Sequence, residues 1–281
     1  MSSVSGSAVA ILDHVVFNTR YRMDEAERLF AALGFTLTPR GYHSLGSINH
    51  LTVFDTNYLE LLGLPDPDST ARPELANAPE GLNGLVFKTD DVDATYSHLQ
   101  RIGLAGDPPK AFSRPVEIDG RSQEARFRTV HVRPDRFPGR VYFCEHATPE
   151  LVWRPDWQRH ENGVHSIAEF VVVAGQPEVE ARDYAALVGG QVREDSGDRV
   201  VDVGDSLIRV CSPQALALRH PGSAVSLDKQ DSLFAAVVLR ADLARARRCV
   251  EAAGDGIEFT LEADRVVARI PSLDYLIVFS A

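Results

Sequence analysis

"ILDHVVFNTRYRMDEAERLFAALG", residues 11–34, sets a β-branched apolar run against a helical stripe and closes on a glycine. The run 11–19 carries Val15, Val16 and Phe17, residue types that suit a pleated, half-buried strand. Ala26, Leu29, Phe30 and Leu33 then recur at i, i+3, i+4 and i+7, the buried stripe of an amphipathic helix. Asp24 and Glu27 stand three apart near its start, the spacing of a capping box. Gly34 ends it, because glycine tolerates the left-handed conformation that closes a helix. Three more apolar segments follow: "FTLTP" (35–39), "SINHLTVFD" (47–55) and "NYLELLGL" (57–64), with "DTN" (55–57) as the turn between the last two.

The same order recurs three times. "GLNGLVFKT" (81–89) leads to a stripe of Val92, Tyr96 and Leu99 that stops at Gly103, then to "PVEIDG" (115–120), "EARFRTVHV" (124–132) and "GRVYFCEH" (139–146). "IAEFVVVA" (167–174) leads to Ala181, Tyr184, Ala185 and Val188 before Gly189, then to "RVVDVG" (199–204) and "SLIRVCS" (206–212). "LFAAVVLRA" (233–241) leads to Leu243, Ala246, Val250 and Ala253 before Gly254, then to "IEFTLEA" (257–263), "RVVARIP" (265–271) and "DYLIVFSA" (274–281). The pattern predicts an α+β chain of four βαβββ modules. Between modules two and three, "TPELVWRPDWQRHENG" (148–163) loses periodicity and gains Pro, Trp and charge. It reads as a connector packed by Trp153 and Trp157. The expected domains are 8–155 and 164–281.

Composition narrows the functional classes. The chain has 281 residues, 44% hydrophobic and 25% charged, enough to bury two ordinary cores. Asp plus Glu number 40 against 29 Lys plus Arg, a net charge of -11. A field of that sign repels nucleic acid and anionic membranes, so neither is expected as a partner. No apolar stretch approaches the roughly 18 residues of a membrane span. Residues 1–10 are small and polar with no basic segment, and are expected to be a frayed tail rather than a signal peptide. Cys144, Cys211 and Cys249 are odd in number and far apart, which fits reduced, buried thiols in a cytoplasm. There is no phosphate-binding glycine loop, nucleophile elbow or HExxH. The adjacent glycines of "LVGGQ" (187–191) follow a helix and read as its cap.

The paired modules resemble the vicinal oxygen chelate superfamily. The phrases "LDHVVF" (12–17), "TPRGYH" (38–43), "NHLTVF" (49–54), "YLELLG" (58–63), "FSRP" (112–115) and "TPELVWRPDWQ" (148–158) are similar to a bacterial glyoxalase-like branch of it, related to glyoxalase I and the extradiol dioxygenases. The architecture covers most of the chain, and the motifs about the first 165 residues. The resemblance implies two curved-sheet domains, each of two modules. It also implies one divalent metal ion (Fe, Mn, Zn, Ni or Mg) per working cup, with one ligand from the first and one from the last strand of each module.

On that template His14 takes the first-strand position and Glu60 the last-strand position of module one. Glu60 shares a face with Tyr58 and Leu62 by strand alternation, and a charge there is costly unless paired. In module two Gly84 aligns with His14, so that ligand is missing. "VYFCEHA" offers Glu145 and His146 on opposite faces. Glu145 would reproduce the usual carboxylate and is the expected third ligand. His146 would instead complete a two-histidine, one-carboxylate set suited to Fe(II) or Mn(II). Glu60 or Glu145 is the candidate catalytic base. His43, Asn49, His50 and Arg114 are the candidate substrate-binding residues. Alternation lets only one of Asn49 and His50 face inward, and Arg114 is placed to hold an anionic or carbonyl oxygen. His131 and His165 read as solvated or connector residues. In the second half Glu169 and Arg209 fall at the ligand positions and are expected to pair. Module four offers only aliphatic and aromatic residues.

Two functions of different class follow. One is a metal-dependent lyase, isomerase or oxygenase acting on a small substrate with vicinal oxygens, the metal stabilising an oxyanion. The other is a metal-free small-molecule-binding protein using the same cup. The oligomeric state, a homodimer included, stays open.

Overall fold

The run 11–19 becomes β1 (Leu12–Arg20) and the stripe behind it α1 (Met23–Ala32). The computed structural model describes residues 10–69, 71–118, 120–220, 223, 225–227 and 230–281, so all but the last residue of the expected tail lies outside the described residues. The first half continues with β2 (Gly41–Tyr42), β3 (Ile48–Val53), β4 (Tyr58–Gly63), α2 (Pro73–Asn77), β5 (Gly81–Lys88), α3 (Val92–Arg101), β6 (Lys110–Ile118), β7 (Arg121–His131) and β8 (Arg140–His146). The second half carries β9 (Ser166–Ala174), α4 (Pro177–Val188), β10 (Val192–Asp195), β11 (Asp198–Val203), β12 (Ser206–Cys211), α5 (Pro213–Arg219), β13 (Ser232–Arg240), α6 (Leu243–Ala252), β14 (Glu258–Leu261), β15 (Arg265–Ile270) and β16 (Tyr275–Ser280).

The first eight strands form one curved mixed sheet in the order β2-β3-β4-β1-β5-β8-β7-β6. The other eight repeat it as β10-β11-β12-β9-β13-β16-β15-β14. In each, the first strands of the two modules pair antiparallel at the centre, and each pairs parallel with the last strand of its own module. These are two similar α+β halves built from paired βαβββ modules.

Alternation along each strand divides the apolar side chains between two faces. Leu12, Val15 and Phe17 of β1 join Leu29 and Phe30 of α1, and this helix-side core runs without a break into Phe170, Val172 and Phe279 of the second half. Phe17 and Tyr275 meet across it with ring centroids 4.4 Å apart. Full burial of a side chain such as Phe17 contributes about 1.5–3 kcal/mol. Inside each sheet's other face lies a separate cluster, around Val16, Leu51 and Phe127 in the first half and Val171, Val238 and Val278 in the second.

The helices stop where the glycines predict. Gly189 caps α4 at φ 70°, and Gly34, Gly103 and Gly254 also take positive φ just past their helices. Three expectations need correction. "FTLTP" forms no strand; only Gly41–Tyr42 pairs there, while Thr38 ties the loop to Leu51 through its N–H and its Oγ1. Asp24 and Glu27 form no capping box, because α1 begins two residues earlier, with Arg22 as its N-cap; both instead bind Arg40 Nη2 at 2.6 Å. The short helices α2 and α5 had no periodic signal. Trp153 and Trp157 of the connector pack against the inner cluster of the first half.

Candidate active site

On the inner face of the first sheet, module one presents His14, Asn49, Tyr58 and Glu60. Module two presents Arg114, Phe127, Thr129, His131, Arg140, Tyr142 and Cys144. Together with His43 and Arg72 they line one pocket.

His14 is anchored from behind. Leu12 pairs with Phe87 and His14 with Val86, so Asp13 is an extra residue in β1. Such a bulge releases a residue from strict alternation. Asp13 turns to the His14 side, where its Oδ2 lies 2.6 Å from His14 Nδ1 and 2.9 Å from His146 Nε2. Burial would raise this carboxyl, but His146 and His14 overcome that and hold it well below the usual range. An ionised carboxylate only accepts, so His14 donates through Nδ1 and presents Nε2 to the pocket. There Tyr142 Oη stands 3.3 Å away and Glu60 Oε2 3.7 Å away. Glu60 is buried, and its Oε1 accepts from Asn49 Nδ2 at 2.7 Å. Tyr58 stacks on the His14 ring at 4.3 Å.

His43 donates or accepts at Ser47 Oγ through Nδ1 (2.8 Å), and its Nε2 is 4.0 Å from Glu60 Oε1. Burial pulls its pKa down to about 4 against the pull of Glu60, with Arg114 and Arg72 adding to the drop, so the ring is neutral. Tyr142 is pushed up by burial and Glu60 in spite of Arg140, so the phenol keeps its proton.

The remaining sequence-derived candidates lie elsewhere. Glu145 falls on the opposite face from Tyr142 and Cys144. Its Oε2 accepts the Val92 N–H at the start of α3 (2.9 Å) and sits 3.7 Å from Arg128 Nη1, so it does not join His14 and Glu60. His146 is on the inner face but turns to Asp13 and packs against Trp153. Of the pair Asn49 and His50, Asn49 faces inward. His50 points into the helix layer, where Nδ1 meets Thr38 O at 2.8 Å and Nε2 accepts from Arg40 Nε at 3.1 Å. His131, read as solvated, instead stacks on Tyr142 at 4.5 Å. The sequence pattern does not mark Asp13, Arg72, Arg140 or Tyr142 as site residues. Arg140 and Tyr142 share the parity of Cys144 in "GRVYFCEH", the one sequence signal that pointed to them.

Strand register gives the ligand positions of module two. Exchanging the two modules about the β1–β5 contact maps His14 onto Gly84 and Val16 onto Val86. Glu60 is the β4 partner of Val16, and Tyr142 is the β8 partner of Val86. Tyr142 therefore occupies the position that Glu60 holds in module one. A Cβ at Gly84 would come within 2.7 Å of Val16 Cβ, so the fourth position has no room for a side chain. A catalytic divalent ion ordinarily takes three protein ligands. His14 and Glu60, with a protonated phenol and a glycine, do not make up that set. A different group, Asp13, Cys144 and His146, brings ligand atoms within 4.8 Å of one another and could coordinate an ion. Its Asp13 Oδ2 is already shared by two imidazoles, and burial pushes the Cys144 thiol well up.

In the second half the same register puts Glu169 where His14 stands and Arg209 where Glu60 stands. They form a bidentate pair, Nε to Oε2 at 2.7 Å and Nη2 to Oε1 at 2.9 Å. Arg209 Nη2 also reaches Asp195 Oδ2 at 2.7 Å. The other two positions are Ala236 and Val278.

No helix among the described residues is long and apolar enough to cross a membrane. No curated protein matches the sequence significantly. Solved structures share the fold across nearly the whole chain. A hypothetical protein from Staphylococcus aureus aligns over 97% of this chain and 99% of its own, with a TM-score of 0.65 and 13% identity. The Mn(II)-bound glyoxalase from Novosphingobium aromaticivorans aligns over 98% and 82%, with a TM-score of 0.60 and 11% identity. A mutant of 4-hydroxymandelate synthase from Streptomyces coelicolor aligns over 97% and 92%, with a TM-score of 0.55 and 12% identity. A family model for the glyoxalase-like domain matches residues 12–188. With its paired modules and its sequence match, the chain belongs to the glyoxalase-like family of the vicinal oxygen chelate superfamily.

Proposed function

We propose that the N-terminal cup catalyses proton transfer on a small substrate with neighbouring oxygens, as an isomerase or lyase, using its own side chains. The observation that carries this is the facing pair His14 Nε2 and Glu60 Oε2, 3.7 Å apart beside a protonated Tyr142. That gap is too long for a direct hydrogen bond, so neither group is committed to the other and both can turn to a substrate beside them. Glu60, fixed through Oε1 by Asn49, is the base that takes a proton from a carbon next to a carbonyl. The Tyr142 hydroxyl donates to the oxyanion that forms. His14, oriented by Asp13, exchanges the proton with Glu60 and returns it to the neighbouring carbon or to the leaving oxygen. The three buried, unpaired cysteines support a cytoplasmic setting.

The test is proton exchange in D₂O, followed by NMR, on a panel of α-hydroxy ketones and 2-oxo acids, with untagged protein before and after EDTA. Exchange that survives EDTA and falls about 10²–10⁴-fold in Glu60→Gln and His14→Ala is the expected result. Exchange lost to EDTA and restored by Mn(II), Fe(II), Zn(II), Ni(II) or Mg(II) overturns the proposal in favour of a metal-dependent lyase, isomerase or oxygenase. Binding with no exchange under any condition overturns it in favour of a metal-free binding protein.

A further inference from the structure

The pocket is unevenly charged. Three arginines, Arg72, Arg114 and Arg140, line it, against one carboxylate, Glu60. Arg72 is occupied by Glu74 and by Ser47 Oγ. The other two are not fully satisfied. Arg114 is 3% exposed, and its Nη2 is buried with no hydrogen-bond partner among the described residues. Arg140 donates through Nε to Asn83 Oδ1 at 3.2 Å, and its Nη2 is likewise buried and unpartnered. Burial lowers the pKa of both guanidiniums, a drop that the pull of Glu60 only partly offsets. Proteins seldom bury a cation this way unless something supplies the counter-charge.

Both arginines come from module two. Arg114 is on β6 and Arg140 on β8, while Glu60 and His14 come from module one. One half of the cup thus carries the proton-transfer groups and the other the vacant cationic donors. Between them the walls are apolar: Leu45, Leu51, Phe112 and Phe127. Phe112 and Phe127 stack on each other with centroids 5.1 Å apart.

We infer that the occupant of this cup is a small organic carboxylate with an apolar or aromatic body, its carboxylate held by Arg114, with Arg140 adding positive charge to the same pocket. A planar guanidinium matches a carboxylate through paired N–H donors, which gives direction as well as charge. This rests on reading the cup as a small-molecule site and adds the substrate class to it.

The test compares carboxylates with their neutral amides: phenylacetate with phenylacetamide, benzoate with benzamide, and hexanoate with hexanamide. Calorimetry and thermal melts are run on the intact protein, on Arg114→Met and on Arg114→Gln. At least one carboxylate is expected to bind roughly tenfold or more tightly than its amide. That preference should disappear in Arg114→Met. The same variant should melt no lower than the parent when empty, because it removes a buried charge that lacked a partner. A structural arginine would behave in the opposite way, with a lower melting temperature and unchanged carboxylate preference, and that result overturns the inference. Amides binding as well as carboxylates overturn it too. Inorganic phosphate competing as tightly as the best carboxylate shifts the site to a free inorganic anion and also overturns it. Should Arg114→Met fail to fold, Arg114→Gln carries the comparison. Failure here leaves the loss of exchange in Glu60→Gln intact. Conversely, a carboxylate preference with no exchange at all sinks only the catalytic reading.

Discussion

Asp13 Oδ2 lies 2.6 Å from His14 Nδ1, although the two residues are consecutive in one strand and would ordinarily face opposite ways. The bulge that makes this contact also lets the same oxygen take His146 Nε2 at 2.9 Å. Two buried imidazoles therefore depend on one carboxylate that is fully removed from solvent. Asp13→Asn keeps the shape but cannot accept from both rings as an anion does. It should cost about 2–4 kcal/mol in denaturant unfolding, since buried donors lose a charged acceptor. It should also slow exchange by freeing the His14 tautomer. An unchanged unfolding midpoint would show that the contact does not hold the site together.

Glu145 should matter for a helix and not for chemistry. Its carboxylate sits at the first turn of α3, on the Val92 N–H, where a negative charge complements the helix end. Glu145→Ala is expected to lower stability by about 0.5–1 kcal/mol. Proton exchange should stay at the parent rate. A collapse of exchange comparable to that of Glu60→Gln would return Glu145 to the active site.

Period-2 alternation and helical stripes ended by glycine made the modules legible from sequence. Alternation alone also placed Glu60 beside Tyr58 and required that one of Asn49 and His50 face inward. It could not say which. That depends on pairing with β4, where Asn49 meets Leu62 and His50 meets Leu61. The choice between Glu145 and His146 failed for the same reason, because face is defined only relative to a paired neighbour. Asp13 was hidden more deeply: a bulge breaks the very rule by which faces are read. Tyr142 as the counterpart of Glu60 needs three strand registers at once. The pairing of Glu169 with Arg209 was readable because the motif alignment happened to coincide with register.

Acid should weaken the fold through histidines that are buried neutral. Burial, with help from Arg140, pulls His131 down to about 3; burial, with Arg265 and Arg219, pulls His220 down to about 4. The unfolded chain takes up these protons near pH 6.5, so between there and the folded values it binds more protons than the native state. Stability is full above about pH 6.5 and falls as pH drops toward 4, with His220 alone responsible for on the order of 3 kcal/mol at complete titration. Melting temperatures measured from pH 8 to 4.5 should be level above 7 and decline below. His220→Gln should flatten part of that decline; a variant profile parallel to the parent would assign the acid limb to other groups.

The C-terminal cup gives the sharpest contrast with the N-terminal one. Arg209 is 3% exposed, like Arg114, but it is fully engaged by Glu169 and Asp195, with Asp198 Oδ2 at 3.4 Å. Removing Arg209 strands the partly exposed Glu169 and Asp195, while buried Asp198 keeps Arg219, so Arg209→Met should destabilise by about 3 kcal/mol at most. Adding Glu169→Leu to that variant removes the stranded carboxylate and supplies apolar packing beside Val171 and Val238. The double variant is expected to recover much of the loss, as apolar replacements of buried ion pairs commonly do. Chemical denaturation of the parent, both single variants and the double variant completes the cycle. A double variant no more stable than Arg209→Met would mean that Asp195 and Asp198, not Glu169, are what Arg209 neutralises. Arg114→Met in the other cup should show none of this penalty, because no carboxylate grips its Nη2. The same residue type on the inner face of two similar sheets then has opposite energetics: one arginine gripped by carboxylates, and one whose Nη2 meets none among the described residues.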